Sequence, residues 1–350
     1  MTASTNLYIN ISKEQWPIVY RKEYNVNFMG LEKLHPFDAH KWNNVYKFLN
    51  EEGLVNEKTV VVPKEASKED LLMVHSKKYL KKLNCSVYVA KIAEVVALIF
   101  VPNVLVQRAY LKPMRFQTGG SILAGKLALD RGWAINIGGG FHHCCATKGG
   151  GFCAYADITL LIKSLFFHFP NKKKINDSKI ILPSVIHNAN NQILVDLDAH
   201  QGNGYQRDFK NNPAVYIMDV YNKWIYPWDS EAKAAIRKKV ELDFFITDDF
   251  YLRTVKKCLV EALAEFEPQI LVYNAGTDIL KGDKLGGLAV TAKGIIKRDE
   301  LVFREATSRG IPIVMLTSGG YLKRTARIIA DSITHLYREG LIHGPQEHYF

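Results

Sequence analysis

Short apolar runs alternate along the chain with longer segments in which hydrophobic residues recur every three or four positions. The short runs have the length of buried strands, and the longer segments have the period of an amphipathic helix. This alternation is typical of a central parallel sheet flanked by helices on both faces, because parallel strands are joined by crossover helices. The pattern therefore predicts an α/β fold with strands at 17–20, 59–62, 133–137, 193–197, 214–218, 269–273 and 311–316.

The helical period is clearest in five segments, at 118–131, 157–169, 248–266, 291–308 and 321–337. No internal repeat and no Gly/Ser-rich or Pro-rich linker divides the chain, so we expect a single domain over residues 1–350. The polar character of 171–192 predicts a surface insertion. Within it, the run 179–186 competes with 193–197 for the position of the strand.

Composition narrows the class of protein. The chain has 350 residues, of which 47% are hydrophobic, so it can bury a large core and is not an intrinsically disordered segment. Its best apolar run, 95–101, stops after seven residues at Pro102, whereas a helix that spans a bilayer needs about 20. No charged and then apolar leader precedes Trp16. We expect a chain that has no membrane span and stays inside the cell.

Lysine and arginine exceed aspartate and glutamate by 46 − 35 = 11 residues. The basic residues occur in small groups, such as 77–78, 172–174, 237–239 and 323–324, which predicts a solvated basic surface. No helix-turn-helix, zinc-finger or RNA-recognition motif accompanies them, so direct sequence-specific binding of nucleic acid is not expected. The five cysteines include no C-x-x-C pair and are expected to be reduced thiols.

Glycine, histidine, aspartate and tyrosine cluster directly after four of the predicted strands. In open α/β sheets, ligands bind outside the carboxyl ends of the strands. We therefore expect the four loops to face one crevice. Their sequences are GGGFHH (138–143), DLDAHQGN (196–203), NAGTD (274–278) and TSGGY (317–321).

Asp198 and His200 are candidate metal ligands. They stand two positions apart at a strand end, so both side chains leave the same face of an extended chain. With Asp278 as the third ligand, one position stays open for water or substrate, as catalytic zinc sites require. The alternative is that the aspartates cap the helices that follow, a common role at strand-to-helix turns. The combination of Asp-x-Asp-x-His with a distant Gly-Thr-Asp favours the metal site.

Two adjacent histidines, His142 and His143, follow three glycines and are candidates for acid–base catalysis. A catalytic histidine needs a partner on its second ring nitrogen, and Asp196 and Asn203 flank the candidate ligands at positions that supply one partner each. Tyr321 follows a Ser-Gly-Gly turn, where its hydroxyl suits an oxyanion donor. Taken singly, each of these side chains is also typical of structural hydrogen bonding or packing.

Eleven longer motifs are spread over nearly the whole chain. They are WPIVY (16–20), FMGLEKLHPFD (28–38), LVQR (105–108), GGGFHHC (138–144), GGGFCAYADITL (149–160), DLDAHQGNG (196–204), VYIMDVYN (215–222), YNAGTDIL (273–280), LGGL (285–288), TSGGY (317–321) and KRTARIIADSI (323–333). Together they resemble the histone deacetylases, and most closely their class IV, the histone deacetylase 11 family. The resemblance implies the arginase-deacetylase fold, a single α/β domain around a parallel sheet, which agrees with the periodicity.

The resemblance also implies a zinc-dependent lysine deacylase, a hydrolase that cleaves linear amide C–N bonds of acyl-lysine in histones or other proteins. Asp198, His200 and Asp278 match the zinc ligands, and the metal would polarise the acyl carbonyl and lower the pKa of its bound water. Two further sets match family positions. The substrate tunnel is implied at Gly151, Phe152, Tyr226 and Leu285, and a structural potassium ion, held mostly by backbone oxygens, at Asp196, Asp198, His200, Asp219 and Val220.

The catalytic roles follow from the same resemblance. His143 matches the general base that takes a proton from water and then, as an acid, returns it to the lysine amine. His142, paired with Asp196, gives electrostatic support, and Tyr321 holds the tetrahedral oxyanion.

Two positions depart from the family pattern. Asn203 stands where many relatives have aspartate, so a neutral amide orients His143 and we expect a weaker conjugate acid at that histidine. Trp228 stands where glycine is expected after Tyr226-Pro227, and we expect it to narrow the rim of the tunnel.

The acyl chain, the partners and the location are implied by the resemblance alone. Class IV relatives imply removal of acetyl and long fatty acyl groups, histone tails among the substrates, transcription corepressor complexes as partners, and residence in nucleus and cytoplasm. Two alternatives stay open: an acetylpolyamine- or arginase-like metal amidohydrolase, and a non-catalytic scaffold. An arginase-like two-metal centre needs an extra acid beside each ligand cluster, and the next acid after Asp278 is Asp283, so a single metal is favoured.

Overall fold

Seven strands form one sheet in which all neighbouring strands run parallel. The computed structural model describes residues 5–27, 37–169 and 190–344. The strands are β1 (Ile18–Val19), β2 (Trp133–Asn136), β3 (Gln192–Asp196), β4 (Val215–Asn222), β5 (Lys238–Leu242), β6 (Ile270–Asn274) and β7 (Ile313–Leu316). Their order across the sheet is β1-β2-β7-β6-β3-β4-β5.

Helices connect the strands and surround the sheet. Those in the described ranges are α1 (Lys41–Glu51), α2 (Lys68–Leu72), α3 (Lys77–Lys82), α4 (Ser86–Ala93), α5 (Asn103–Val106), α6 (Lys112–Arg131), α7 (Asp157–His168), α8 (Asn203–Asp208), α9 (Asp248–Glu265), α10 (Ala292–Thr307) and α11 (Thr325–Arg338). None of them combines the length and the hydrophobicity that crossing a bilayer requires.

The central strands are largely apolar because both faces of the sheet are covered. Every residue of β3, β4 and β6 is buried. Successive side chains point to opposite faces, so Ile193 and Val195 pack in one core cluster and Leu194 in another. The predicted α/β class, with a central parallel sheet between helices, is confirmed.

Two strand predictions differ from the structure. Strand β5 was not predicted, because three of its five residues, KKVEL, are charged, as an edge strand tolerates. The predicted strand at 59–62 is wrong. In that segment a single residue, Val61, forms an isolated bridge with Val19, and its backbone N–H donates to Ile18.

Two boundaries also change. The helix predicted at 321–337 begins at Thr325, so Tyr321 lies in the loop before it. The predicted insertion at 171–192 ends too late, since Gln192 is the buried first residue of β3. Residues 171–189, including the competing run 179–186, lie outside the described residues.

His75 binds both ends of the loop 146–156, which contains Gly151 and Phe152. It lies between α2 and α3 and is 2% exposed. Its Nε2 accepts a hydrogen bond from the Ala156 N–H (3.0 Å), and its Nδ1 donates to the Ala146 carbonyl (3.3 Å). Burial lowers the pKa of His75 to about 4. The fold therefore holds this imidazole in its neutral form.

We expect this histidine to make the fold acid-sensitive. An unfolded histidine has a pKa of about 6.5, so between pH 6.5 and 4 the unfolded chain binds more protons and the free energy of unfolding falls as pH falls. From pH 7 to pH 5 the wild type should lose about 2 kcal/mol more than His75→Gln, which does not titrate. Urea unfolding of both proteins at the two pH values measures the difference. Equal losses would show that His75 is not the group responsible.

Candidate active site

The four loops rich in glycine, histidine, aspartate and tyrosine meet at one edge of the sheet. They follow β2, β3, β6 and β7, and these strands are consecutive in the sheet order β2-β7-β6-β3. Because all four strands are parallel, their carboxyl ends lie together. The sheet therefore brings the sequence-predicted residues of these loops into one crevice.

Asp198, His200 and Asp278 form a group of metal-type ligands in the described part of the chain. Their ligand atoms lie within 4.8 Å of one another, and all three side chains are buried. His200 Nδ1 is 2.8 Å from Asp278 Oδ2 and 3.2 Å from Asp198 Oδ1. Backbone N–H groups fix the carboxylates, Ala199 donating to Asp278 (2.8 Å) and Gly319 to Asp198 (3.2 Å).

A divalent cation fits this group. Burial and the neighbouring Asp198 carboxylate raise the pKa of Asp278 to about 7. The two carboxylates thus repel each other in a buried place, and a cation between them relieves that repulsion. Two carboxylates and one imidazole suit zinc, and also iron or cobalt.

His142 has a carboxylate partner. Its Nδ1 donates to Asp196 Oδ2 (2.9 Å), and the same carboxylate accepts from the Tyr205 hydroxyl (2.9 Å) and the Asn274 amide (3.0 Å). Burial opposes the charged ring, but the carboxylates of Asp198 and Asp196 outweigh it and raise the pKa of His142 to about 9. The neighbouring carboxylates therefore favour the protonated ring of His142.

His143 has an amide partner, and that amide is itself held. Asn203 Oδ1 lies 2.9 Å from His143 Nδ1, and Asn203 Nδ2 donates to Asp229 (3.1 Å). Arg207 holds Asp229 with two hydrogen bonds of 2.8 and 2.7 Å. Because an ionised carboxylate only accepts, Asn203 must turn its amino group to Asp229 and its oxygen to His143. The proton of His143 is therefore on Nδ1, and Nε2 is free.

The pKa of His143 is lowered well below the usual value for histidine. Burial is the largest cause, followed by the electrostatic influence of the neighbouring His142 and His200. The direction is that of the weaker conjugate acid expected from Asn203. In the structure, burial and the neighbouring histidines, rather than the Asn203 amide, are the main causes of the lowered pKa of His143.

Tyr321 lies beside the ligand group. Its backbone N–H donates to Asp283 (2.9 Å), and its ring centroid is 6.3 Å from that of His200. Burial and the carboxylates of Asp278 and Asp198 raise the pKa of Tyr321 well above 10, so the hydroxyl keeps its proton. The side chain can therefore act as a donor.

Lys41 was not predicted from sequence. It lies on α1 and is fully buried, with Nζ donating to the carbonyls of Ser318 (2.9 Å) and Gly319 (2.6 Å). Burial lowers the pKa of Lys41 to about 8, against the attraction of Asp278 and other nearby carboxylates. This lysine holds the Ser-Gly-Gly turn in front of Tyr321.

Asp157 was predicted only as the start of a helix. Its buried carboxylate accepts from the N–H groups of Gly140 and Phe141, both at 2.8 Å, and from the Ser121 hydroxyl (2.6 Å). These bonds fix the glycine loop that carries the two histidines. An aspartate at the first turn of a helix looks like a cap in sequence, which hides this second role.

Three of the four sequence-predicted tunnel residues lie around His143. Gly151 has φ +52° and lies so close that a Cβ there would collide with the imidazole. The ring of Phe152 stacks on Phe37 with centroids 5.3 Å apart. The ring of Tyr226 meets His143 edge-on at 4.8 Å. Aromatic faces therefore flank the approach to this histidine.

Leu285 and Trp228 lie further out. The backbone N–H of Leu285 donates to Asp283, the carboxylate that also binds Tyr321, and its side chain is 40% exposed. Trp228 is 67% exposed, with φ +52°, a backbone region that favours glycine. The narrowing of the rim by Trp228 stays a prediction.

One narrow cavity is lined by His143, Asp198 and Tyr321. Its lining also includes apolar side chains, which are Val26, Phe37, Ala39, Trp42 and Met114. Part of this space therefore suits a hydrophobic group.

The residues predicted to hold potassium lie on β3, β4 and the loop after β3. Asp196 and Asp219 are register partners on these strands. Asp219 Oδ2 accepts from Gly202 (3.0 Å) and Gln206, whereas its buried Oδ1 has no hydrogen-bond partner. Burial and the Asp196 carboxylate raise the pKa of Asp219. An orphaned buried oxygen between carboxylates fits a bound cation.

Comparison with known proteins places the site in a family. A family model described as the histone deacetylase domain matches residues 35–337, a range that contains the ligand group, both histidines and Tyr321. The chain belongs to the histone deacetylase family. It is therefore a hydrolase of the class that cleaves the amide bond of acetyl-lysine.

Curated histone deacetylases are similar over most of this chain. Histone deacetylase 2 of Arabidopsis thaliana is 50% identical over 339 residues, which cover 97% of this chain and 83% of that protein. Histone deacetylase 1 of Homo sapiens is 25% identical over 307 residues, which cover 83% of this chain and 58% of that protein. A crystal structure of the HDA15 HD domain has a TM-score of 0.70 at 18% identity, covering 93% of this chain and 88% of that one. This last likeness concerns the fold.

Proposed function

We propose that this histone deacetylase is a zinc-dependent lysine deacylase of the class IV type, acting as a single domain, that removes long fatty acyl groups as well as acetyl. The observation that carries the proposal is the shared cavity. Asp198 from the ligand group, His143 with its free Nε2 and the protonated Tyr321 all line it. A ligand group, a base and an oxyanion donor around one space are the parts that amide hydrolysis needs.

The reaction is the attack of water on the acyl carbonyl carbon, followed by cleavage of the bond to the lysine nitrogen. When bound, zinc supplies a Lewis acid for the carbonyl oxygen and lowers the pKa of water. His143 accepts the proton of the attacking water at Nε2 and then gives a proton to the departing lysine amine. Tyr321 donates its hydroxyl to the oxyanion. His142, whose protonated ring the neighbouring carboxylates favour, stabilises the negative charge that develops nearby.

The acyl preference rests on the apolar inner cavity. A lysine stem that enters past Phe152 and Tyr226 would place its carbonyl at His143, and the acyl chain would then lie against apolar residues of the same cavity, such as Val26 and Ala39. Each buried CH₂ contributes about 0.8 kcal/mol to binding. A longer linear chain should therefore bind better until the cavity is full.

The proposed potassium ion rests on the buried Asp219 Oδ1. Nuclear and cytoplasmic residence, histone tails as substrates and corepressor partners rest on the class IV resemblance, and they stay predictions.

The test compares one lysine peptide carrying an acetyl, octanoyl or myristoyl group. We expect kcat/KM to rise with chain length for the zinc-loaded protein. Asp278→Ala should lose bound zinc and turnover on all three peptides, because it removes a ligand from a three-residue set. Asp331→Ala, at a partly exposed position on α11 outside the ligand group, is the matched control and should keep both. Ala39→Leu should lower the ratio of myristoyl to acetyl rates by shortening the cavity.

Each other outcome removes a part of the proposal. A preference for acetyl would contradict the fatty acyl preference and leave a deacetylase. Full activity after zinc removal would contradict the metal dependence. No turnover on any peptide with stoichiometric zinc bound would favour the scaffold or polyamine alternatives.

A further inference from the structure

More than half of the net charge lies in one segment. Residues 77–115 hold eight basic residues and one acid, Glu94, a net charge of 8 − 1 = +7 out of +11 for the chain. The grouping of basic residues is thus less even than the sequence pattern indicated. We name residues 77–115 the basic lobe. Its exposed basic side chains are Lys77, Lys78, Lys81, Lys82, Lys91, Arg108 and Lys112.

The same lobe exposes large apolar side chains. Within residues 96–105, here the apolar tip, Phe100 is 84% exposed, Val96 75% and Val104 72%. Ile99 and Leu105 are also exposed. Single exposed apolar residues are ordinary on protein surfaces, but five within ten residues form a patch that marks a binding surface.

Hydrogen bonds hold the apolar tip against the basic helix α3, whose sequence is KKYLKK. Asn103 and Gln107 both donate to the carbonyl of Leu83, which directly follows α3, at 3.2 and 3.0 Å. Ser86 donates to the carbonyl of Val101 (2.7 Å). The apolar tip therefore lies next to the end of the helix that carries four of the exposed lysines.

This surface adjoins the tunnel. The backbone N–H of Phe152 donates to Ile92 of α4 (2.9 Å), and the Tyr110 hydroxyl donates to the Phe152 carbonyl (2.7 Å). A groove beside α3 is lined by Lys77 and Lys81 of the lobe and by Lys68 of α2. The lobe thus borders both a lysine-lined groove and the wall of the tunnel.

We propose that the basic lobe docks on a membrane that contains anionic lipids, with the apolar tip inserted at the headgroup level. Exposed aromatic and aliphatic side chains beside clustered lysines are the composition of interfacial membrane-binding surfaces. Basic residues are attracted to anionic leaflets, and apolar side chains enter the boundary between headgroups and acyl chains. The charge complementarity favours lipid over a second copy of this chain, whose same surface is equally positive.

Docking brings the tunnel beside the bilayer, where fatty-acylated lysines collect. That consequence rests on the proposed function, whereas the docking itself does not. Binding to lipid is therefore measured without substrate, and catalysis is measured on soluble peptides.

The experiment is co-sedimentation of the full chain with vesicles of phosphatidylcholine alone or with about 30% phosphatidylserine. We expect binding to the anionic vesicles that weakens as salt rises. Phe100→Ser with Val104→Ser should reduce the partition coefficient about tenfold or more, from lost apolar insertion. Lys81→Glu with Lys82→Glu should reduce it by at least as much, since each lysine near the surface contributes about a factor of five.

The matched controls lie on α9. Phe250→Ser removes one exposed phenylalanine, as Phe100→Ser does, and Lys256→Glu with Lys257→Glu makes the same charge change as the lysine variant of the lobe. Both controls should leave binding unchanged. All variants should hydrolyse the soluble acetyl peptide at the wild-type rate, which reports correct folding. Equal losses in lobe and control variants would overturn the proposal in favour of diffuse attraction by the net charge. No binding to anionic vesicles, or a Phe100-dependent dimer in their absence, would also overturn it.

Discussion

Tyr321→Phe is expected to lower kcat by about 10²–10³-fold and to leave KM nearly unchanged. The substitution removes one hydroxyl that donates to the oxyanion, and loss of one such donor typically costs about 3–4 kcal/mol of transition-state stabilisation. The hydroxyl is available as a donor because burial and the neighbouring carboxylates raise its pKa well above 10. Steady-state kinetics on the preferred acyl-lysine peptide measures both constants.

The control for this prediction is Tyr337→Phe, which removes a hydroxyl from a half-exposed tyrosine on α11. It should keep the wild-type kcat. Bound zinc should be the same in both variants, since neither residue belongs to the ligand group. A rise in KM with kcat preserved in Tyr321→Phe would show that the tyrosine binds substrate and transition state equally.

Asn203→Asp is expected to move the acidic limb of kcat/KM to higher pH and to destabilise the fold. A carboxylate on His143 Nδ1 favours the imidazolium, so the pKa of His143 rises and the base stays protonated up to a higher pH. The new carboxylate also stands where Asn203 now donates to Asp229 at 3.1 Å, so two like charges meet. The pH–rate profile and urea unfolding at pH 8 measure the two effects.

Asp229→Asn should separate these effects when it is combined with Asn203→Asp. The double variant keeps a carboxylate beside His143 but removes the repulsion, so stability should recover by about 1–3 kcal/mol while the acidic limb stays shifted. Recovery of stability needs the two residues to be coupled. Additive losses would mean that Asp229 does not hold the Asn203 side chain, and an unshifted limb would mean that Asn203 does not set the pKa of His143.

The fold could be predicted from sequence wherever burial alone decides a strand. Strands β3, β4 and β6 are apolar runs with helices on both sides, so their hydrophobicity marks them. Strand β5 was not predicted because an edge strand keeps charged residues. The apolar segment 59–62 was predicted as a strand, although only Val61 pairs with the sheet. Local hydrophobicity therefore finds the middle of this sheet better than its edges.

In the candidate site, too, local sequence predicts only some of the residues. Asp198 and His200, and the paired histidines His142 and His143, lie close together in sequence, so their spacing predicts their chemistry. Asp229 and Lys41 act through partners that are 26 and 278 positions away, at Asn203 and Gly319. No local pattern connects such pairs, because the contact exists only after the sheet has formed.

The bond from Lys41 to the Ser-Gly-Gly turn also bears on how the protein is made. Contacts between residues so distant in sequence form late, because a long loop of chain must close first. The site draws its parts from α1, near the beginning of the chain, and from the loop after β7, near its end. During synthesis, the cluster of carboxylates and histidines therefore stays incomplete until residue 321 has left the ribosome. Until then the nascent chain is exposed to aggregation.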